Sequence, residues 1–247
     1  LMNLSKKKFS IIIQARLNST RLKGKILKKI NNEEILLIMI KRLREFNDKI
    51  IINISKKNPD QLINFCKRNH IKYFVGSNLN VLKRYYDCAN FFKVSNIVRI
   101  PSDCPLIDPN ILKKDLNIFF KKKYNYVTNL CPPSYIDGND VEIFTFNILE
   151  KIYLGAKIKF DKEHVTTFLR KRLNSYVYKN FGIRENSSTK FRLTIDYKED
   201  LKLIENVITK LGKYANYKKI FTYLKANKNI SSINKKYIGK MWYQKNF

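Results

Sequence analysis

The sequence predicts a single α/β domain built on a mainly parallel sheet, and three observations carry that reading. Short apolar runs alternate with stretches whose apolar residues recur at helical spacing through the first half of the chain. At 247 residues and 44% apolar content, the chain can bury one sizeable core without disulfide or metal staples. No internal repeat, low-complexity linker or break in composition divides it.

In order, FSIII at 9–13 predicts the first buried strand, and Leu36, Met39, Ile40, Leu43 and Phe46 predict a helix over 33–46. KIIINIS at 49–55 is the second strand. Asn58-Pro59-Asp60 opens a helix that buries Leu62, Phe65 and Cys66. IKYFVGS at 71–77, a helix over 80–92 and NIVRI at 96–100 follow, and Asp108-Pro109 supplies a cap and a first turn for the next helix. This alternation is that of parallel strands joined by right-handed crossovers. In the second half, YNYVTNL at 124–130 and VEIFTF at 141–146 predict strands around the turn-rich CPPSYIDGND. Helices over 147–154 and 161–173 and a strand in SYVYKNF come next. FRLTI at 191–195 then reads as a strand feeding a helix that buries Leu201, Ile204, Val207, Ile208 and Leu211. Residues 1–230 are expected to form the domain, with 231–247, SSINKKYIGKMWYQKNF, as an extension packed on the body or on a partner.

Composition narrows the function classes. The densest apolar run, ILLIMI at 35–40, is far short of the roughly 18 residues that cross a bilayer. No small-residue cleavage site follows the N-terminal lysines, so a soluble cytoplasmic protein without membrane insertion is expected. Cys66, Cys88, Cys104 and Cys131 form no CxxC pair, and His70 and His164 are the only imidazoles. Reduced thiols are therefore expected, not a zinc site, with His70 structural or on the surface. The net charge of +30 is mainly lysine spread along the whole chain with abundant Asn and Ile, which favours compositional drift over a specific nucleic-acid surface.

The stretch QARLNSTRLKGK places Arg16, Arg21 and Lys25 directly after the first strand. In parallel α/β sheets ligands gather at the carboxyl ends of strands, and two guanidinium forks with an ammonium suit a polyphosphate. Ser19 and Ile26 break the spacing of a Walker loop, and a solvated basic loop is the competing reading. RIPSDCPLIDP places Asp103 just beyond the fourth strand, and RLTIDYKEDL places Asp196 after the late one. Two such carboxylates plus substrate phosphates are the usual holders of magnesium in nucleotide chemistry. A turn at Asp103 and a helix capping box from Asp196 to Glu199 would explain the same residues without a metal.

Together with VLKRYY at 81–86, DGNDVEIF at 137–144 and EHVT at 163–166, these stretches resemble the cytidylyltransferases, the family of CMP-KDO and CMP-acylneuraminate synthetases. The resemblance is particularly to its spore coat polysaccharide branch, with the motifs in family order from Gln14 to Leu201. It implies a three-layer α/β/α sandwich of the nucleotide-diphospho-sugar transferase type, CTP and Mg2+, a CMP-linked product and released pyrophosphate. Carried over, Arg16, Arg21 and Lys25 would hold the triphosphate as the catalytic set, and Asp103 and Asp196 would hold the metal, with Asp103 also at the nucleotide. Gln14, Ala15 and Arg84 would meet the base and ribose. Asp140, Glu142, Glu163 and His164 would line the acceptor pocket, for a sugar acid of the ulosonic or nonulosonic type or a phosphonate or phosphorylated metabolite. A homodimer is expected from the family. Lys23 and Ser102 stand where relatives often carry Pro and Gly, which touches loop geometry, not charge. Two other readings stay open: a nucleotide-sugar-dependent glycosyltransferase of the same fold, though no DxD motif is present, and a basic nucleic-acid-binding protein.

Overall fold

Three consecutive isoleucines, Ile11, Ile12 and Ile13, are fully buried because their strand, β1 (Ser10–Ala15), lies inside the sheet with helices on both faces. The computed structural model describes residues 3–121, 123–183 and 186–240. After β1 come a two-strand ribbon, β2 (Lys29–Ile30) and β3 (Glu33–Glu34), then α1 (Ile35–Arg42), β4 (Ile50–Ser55), α2 (Asp60–Arg68), β5 (Lys72–Gly76), α3 (Val81–Phe91), β6 (Asn96–Pro101) and α4 (Pro109–Lys121). The second half adds β7 (Tyr126–Thr128), β8 (Glu142–Thr145), α5 (Phe146–Gly155), α6 (Lys159–His164), α7 (Thr167–Arg170), β9 (Tyr178–Asn180), α8 (Lys198–Leu211), α9 (Tyr217–Ala226) and α10 (Lys228–Ser231).

Seven strands form one sheet in the order β5-β4-β1-β6-β8-β7-β9, parallel throughout except for β8, which runs against both β6 and β7. The chain runs outward from β1 to β4 and β5, then returns to β1's other side as β6. That reversal is a topological switch point, where a crevice opens beyond the strand ends. α1, α2 and α4 pack on one face and α3, α5 and α7 on the other, giving the expected three layers. A third apolar cluster joins the outer side of α1 to α8 and α9 through Ile35, Ile38, Leu203, Ile204 and Ile220.

Four expectations need correction. FRLTI is not a strand: Leu193 and Ile195 donate their N–H groups to the carbonyls of Asp137 and Asp103 at 2.8 and 2.9 Å, so the segment is extended against two loops. The helix over 161–173 is two short helices, because Val165 takes φ 59° and ψ −63°, a strained γ-turn for a β-branched residue. The helix expected from 33 starts at Ile35, because Glu33 and Glu34 pair with β2. At the start of α8 the capping carboxylate is Asp200, not Glu199: its Oδ2 accepts the N–H groups of Asp196 and Tyr197 at 2.9 Å each. Residues 232–240 pack back on the body, and 241–247 lie outside the described residues. No helix among the described residues is long and apolar enough to cross a membrane.

Candidate active site

A cavity of about 550 Å³ opens at the switch point, above the carboxyl ends of β1 and β6. Gln14, Ala15, Arg16, Arg21 and Lys25 reach it from β1 and the loop after it, and Asp103 from the turn after β6. Gly24 turns that loop at φ 62°, a conformation that disfavours a side chain, and so delivers Lys25 inward.

Lys25 is the hub. Its Nζ donates to Asp103 Oδ2 at 2.7 Å, to Asp196 Oδ1 at 2.8 Å and to the carbonyl of Ile195 at 2.7 Å. Burial alone would lower the ammonium's pKa, but the carboxylates of Asp103 and Asp196 outweigh it and hold the pKa above its ordinary value. Asp196 also takes Arg21 at 2.8 Å and Arg192 at 2.7 Å. Burial would push this carboxyl up, yet Lys25, Arg21 and Arg192 together hold it below the usual range. The charged groups the sequence placed on separate strand ends are thus brought together, although Asp196 arrives on an extended segment and not on a strand.

Arg192 was not anticipated. Its guanidinium bridges Asp137 at 2.8 Å, Asp196, and Asp200 at 3.2 Å, fixing the whole Asp196 loop from beneath. An Arg four residues before Asp196 in the same motif was the available signal. Asp137 also accepts from the Thr194 hydroxyl at 2.7 Å. Burial pushes the carboxyls of Asp137 and Asp140 up. Asp140 is pushed to about 8 by burial and by the Asp137 carboxylate, against the pull of Arg170.

On the α3 side, Arg84 is 1% exposed, its stem packed over Gly76, where a Cβ would stand 2.9 Å from Arg84 Cγ. Its Nη1 donates to the Ser77 carbonyl at 2.5 Å, its Nε has no partner, and no carboxylate in the described residues pairs with it. Burial lowers the guanidinium to about 10, so it remains charged at neutral pH. Glu163 and His164 form the opposite wall, where Arg16 lies 3.9 Å from Glu163 and the imidazole packs 4.4 Å from the Phe160 ring. His164 is held below its ordinary value by burial, against the pull of Glu163. The strained, positive-φ Val165 follows it directly.

Glu142 departs from expectation. It does not line the cavity: it is 1% exposed and ion-paired with Arg99, with Arg170 at 3.0 Å, and with the hydroxyls of Tyr126 at 2.6 Å and Thr166 at 3.1 Å. β8 places the side chain inward at the register of Arg99 and Thr128, on the face covered by α7, so its partners saturate it. Burial alone would raise this carboxyl, but Arg170 and Arg99 hold it down at about 2.

The cytidylyltransferase family model matches residues 10–236. The chain belongs to the cytidylyltransferases. It is 33% identical over 234 residues to an uncharacterised protein of Methanocaldococcus jannaschii, spanning 90% of this chain and 93% of that one. To the spore coat polysaccharide biosynthesis protein SpsF of Bacillus subtilis it is 31% identical over 211 residues, spanning 82% and 87%. Among solved structures, a cytidylyltransferase from Leptospira borgpetersenii superposes with a TM-score of 0.87 at 31% identity, over 91% of this chain and 96% of that one. CTP is therefore the substrate of this cytidylyltransferase.

Proposed function

We propose that the protein transfers CMP from CTP to a small acidic acceptor, a sugar acid or a phosphorylated or phosphonate metabolite, for a surface polysaccharide or glycoconjugate. The observation that carries this reading is the convergence of Asp103 and Asp196 on one cationic position, ringed by Arg21 and Arg192. SpsF, whose name refers to spore coat polysaccharide, supports the pathway class.

Hard carboxylate oxygens directed at a single cation suit magnesium, and two of them leave the remaining positions to phosphate oxygens and water. Asp103 and Asp196 would hold the ion once Lys25 turns to the phosphates, and the ion would supply further neutralisation of phosphate charge. Arg16, Arg21 and Lys25 bind the triphosphate in line for attack and stabilise the charge that grows on the leaving pyrophosphate. The acceptor oxygen forms its bond to the α-phosphorus as the bond to the bridging oxygen breaks, and that electron pair leaves with pyrophosphate. His164, held largely neutral by burial, takes the acceptor's proton, and Glu163 steadies the resulting imidazolium. Gln14, Ala15 and Arg84 face the base and ribose, and protonated Asp140 donates a hydrogen bond to the acceptor. Glu142 braces Arg99 beneath the site. Residues 1–230 act as one domain in this reading, in a homodimer.

The test is pyrophosphate release with CTP and Mg2+ across a panel of sugar acids and phosphorylated acceptors, with UTP and ATP as controls. Release with one acidic acceptor and CTP alone is expected. Release only with neutral acceptors would sink the acceptor class.

A further inference from the structure

The stretch after α10 brings a lysine into the cavity that no family motif predicts. Asn234, fully buried, donates its side-chain amide to the Arg192 carbonyl at 3.0 Å and to Asp200 Oδ1 at 2.7 Å, tying the chain to the loop that carries Asp196. Three residues on, the Tyr237 ring lies flat on Tyr197 at 3.7 Å and 2° between planes. The Arg21 guanidinium lies 5.2 Å from that same Tyr197 ring. Lys236 pairs with Glu199 at 2.8 Å, and the Tyr237 hydroxyl donates to the same carboxylate at 3.3 Å. Gly239 then turns the chain at φ 80°, in the left-handed region, and Lys240 closes the turn by donating its N–H to the Tyr237 carbonyl at 3.2 Å. The result is that Lys240 lines the cavity, its ammonium 5.4 Å from the Tyr237 ring.

Charge balance gives the lysine its role. At this end of the cavity Arg21, Lys25 and Arg192 are already matched by Asp103, Asp137, Asp196 and Asp200. Three cations against four carboxylates leave no net attraction for a polyanion. Among the described residues Lys240 has no carboxylate partner, so its charge is available to a ligand. Its neighbours also say which end it serves: the Tyr237 ring beside it stacks on Tyr197, and the Arg21 guanidinium lies against that same Tyr197 ring.

We infer that residues 234–240 form a fixed strap and that Lys240 is an additional phosphate-binding residue, acting on the β- and γ-phosphates of the nucleotide. The inference rests on the reading of Arg21 and Lys25 as a triphosphate clamp. Lysine suits the place, since a compact ammonium on a long stem follows phosphate oxygens that move as pyrophosphate departs. Gly239 and Tyr237 are positioning residues, acting through the aim of Lys240.

The test is isothermal titration of the full chain, wild type against Lys240→Ala and Lys240→Arg, with CTP, CMP and inorganic tripolyphosphate. Loss of a charge-assisted contact at an exposed position is expected to weaken CTP and tripolyphosphate about tenfold in Lys240→Ala. CMP, which lacks the outer phosphates, should bind as before, and Lys240→Arg should restore most of the loss. The thermal midpoint should not move, because the side chain is exposed. Unchanged CTP affinity in Lys240→Ala, or an equal loss for CTP and CMP, would overturn the inference. A wild type that takes tripolyphosphate but not CTP would refute the nucleotide reading, and the tripolyphosphate arm alone then decides on Lys240.

Discussion

Two carboxylate clusters lie near one another in this molecule, made of the same residue types and put to opposite uses. Around Glu142, two arginines and two hydroxyls close on a carboxylate that is 1% exposed. Around Asp196, Lys25, Arg21 and Arg192 close on a carboxylate at the wall of an open cavity, and the Arg21 side chain is 49% exposed. The first cluster has no free direction for a ligand. The second can exchange its partners, because water and phosphate can reach it. Exposure and spare donors, not residue identity, separate the structural cluster from the reactive one.

The largest expected effect comes from breaking the closed cluster. Glu142→Ala leaves Arg99 and Arg170 buried and without their shared carboxylate, and removing one partner of a buried pair costs about 3–5 kcal/mol. Chemical denaturation should register this as a large fall in stability, and a midpoint within experimental error of wild type would break the comparison. The cluster also sets an acid limit. Glu142 titrates at about 2 in the folded state, below its unfolded value, so its contribution is complete above about 4.5 and is lost as pH falls toward 2.

Next in size is the open cluster, where the loss should appear chiefly in rate, with a smaller fall in stability because Lys25 and Asp196 are themselves buried. Lys25→Ala or Asp196→Asn is expected to lower kcat about 10²–10³-fold, of the order seen when one oriented donor is deleted from a charge-stabilising site. Steady-state pyrophosphate release beside a thermal melt separates the two outcomes. A variant that melted early while its folded fraction kept full kcat would place Asp196 with Glu142 instead.

How much of this was legible in the sequence follows from the same contrast. Arg16, Arg21, Lys25, Asp103 and Asp196 could be singled out because dense charge gathers around segments that read as buried strands, although a solvated loop, a turn and a helix cap explained the same residues. Glu142 was misplaced because a sequence gives a strand's alternation but not which arginines will meet it, and Arg170 lies 28 residues away. FRLTI has the pattern of a strand, yet its partners are the carbonyls of Asp103 and Asp137, and no periodicity encodes pairing with loops. The break at Val165 was hidden because a β-branched residue is a poor candidate for positive φ. Lys240 was invisible for a plainer reason: with 50 lysines and arginines in the chain, one exposed lysine carries no signal until the fold brings it back to the site.

Asp140 sharpens the comparison, since it is buried like Glu142, yet the pull of Arg170 does not outweigh burial and the neighbouring Asp137 carboxylate. An unfolded aspartate ionises near pH 4, whereas Asp140 keeps its proton to about 8, so the folded state binds more protons across that window and stability falls as pH rises through it. Asp140→Asn removes this dependence. The variant should gain thermal stability over wild type, by more at pH 8 than at pH 5, and a constant difference between the two would show that Asp137 carries the proton.

The smallest expected effect is at the exposed Arg16–Glu163 pair, 3.9 Å apart with side chains 53% and 40% accessible. Surface pairs of this kind contribute little, so Glu163→Gln should leave stability within about 0.5 kcal/mol of wild type. Its consequence lies instead in His164, whose imidazole Glu163 pulls upward against burial and against Arg99 and Arg16. Removing that carboxylate should lower the His164 pKa further, which NMR titration of the imidazole would measure directly. In the activity profile the acid limb should move to lower pH by the same amount if His164 takes the acceptor's proton. An imidazole pKa that moves while the acid limb stays fixed would leave His164 as a wall of the acceptor pocket and assign the proton transfer to another group.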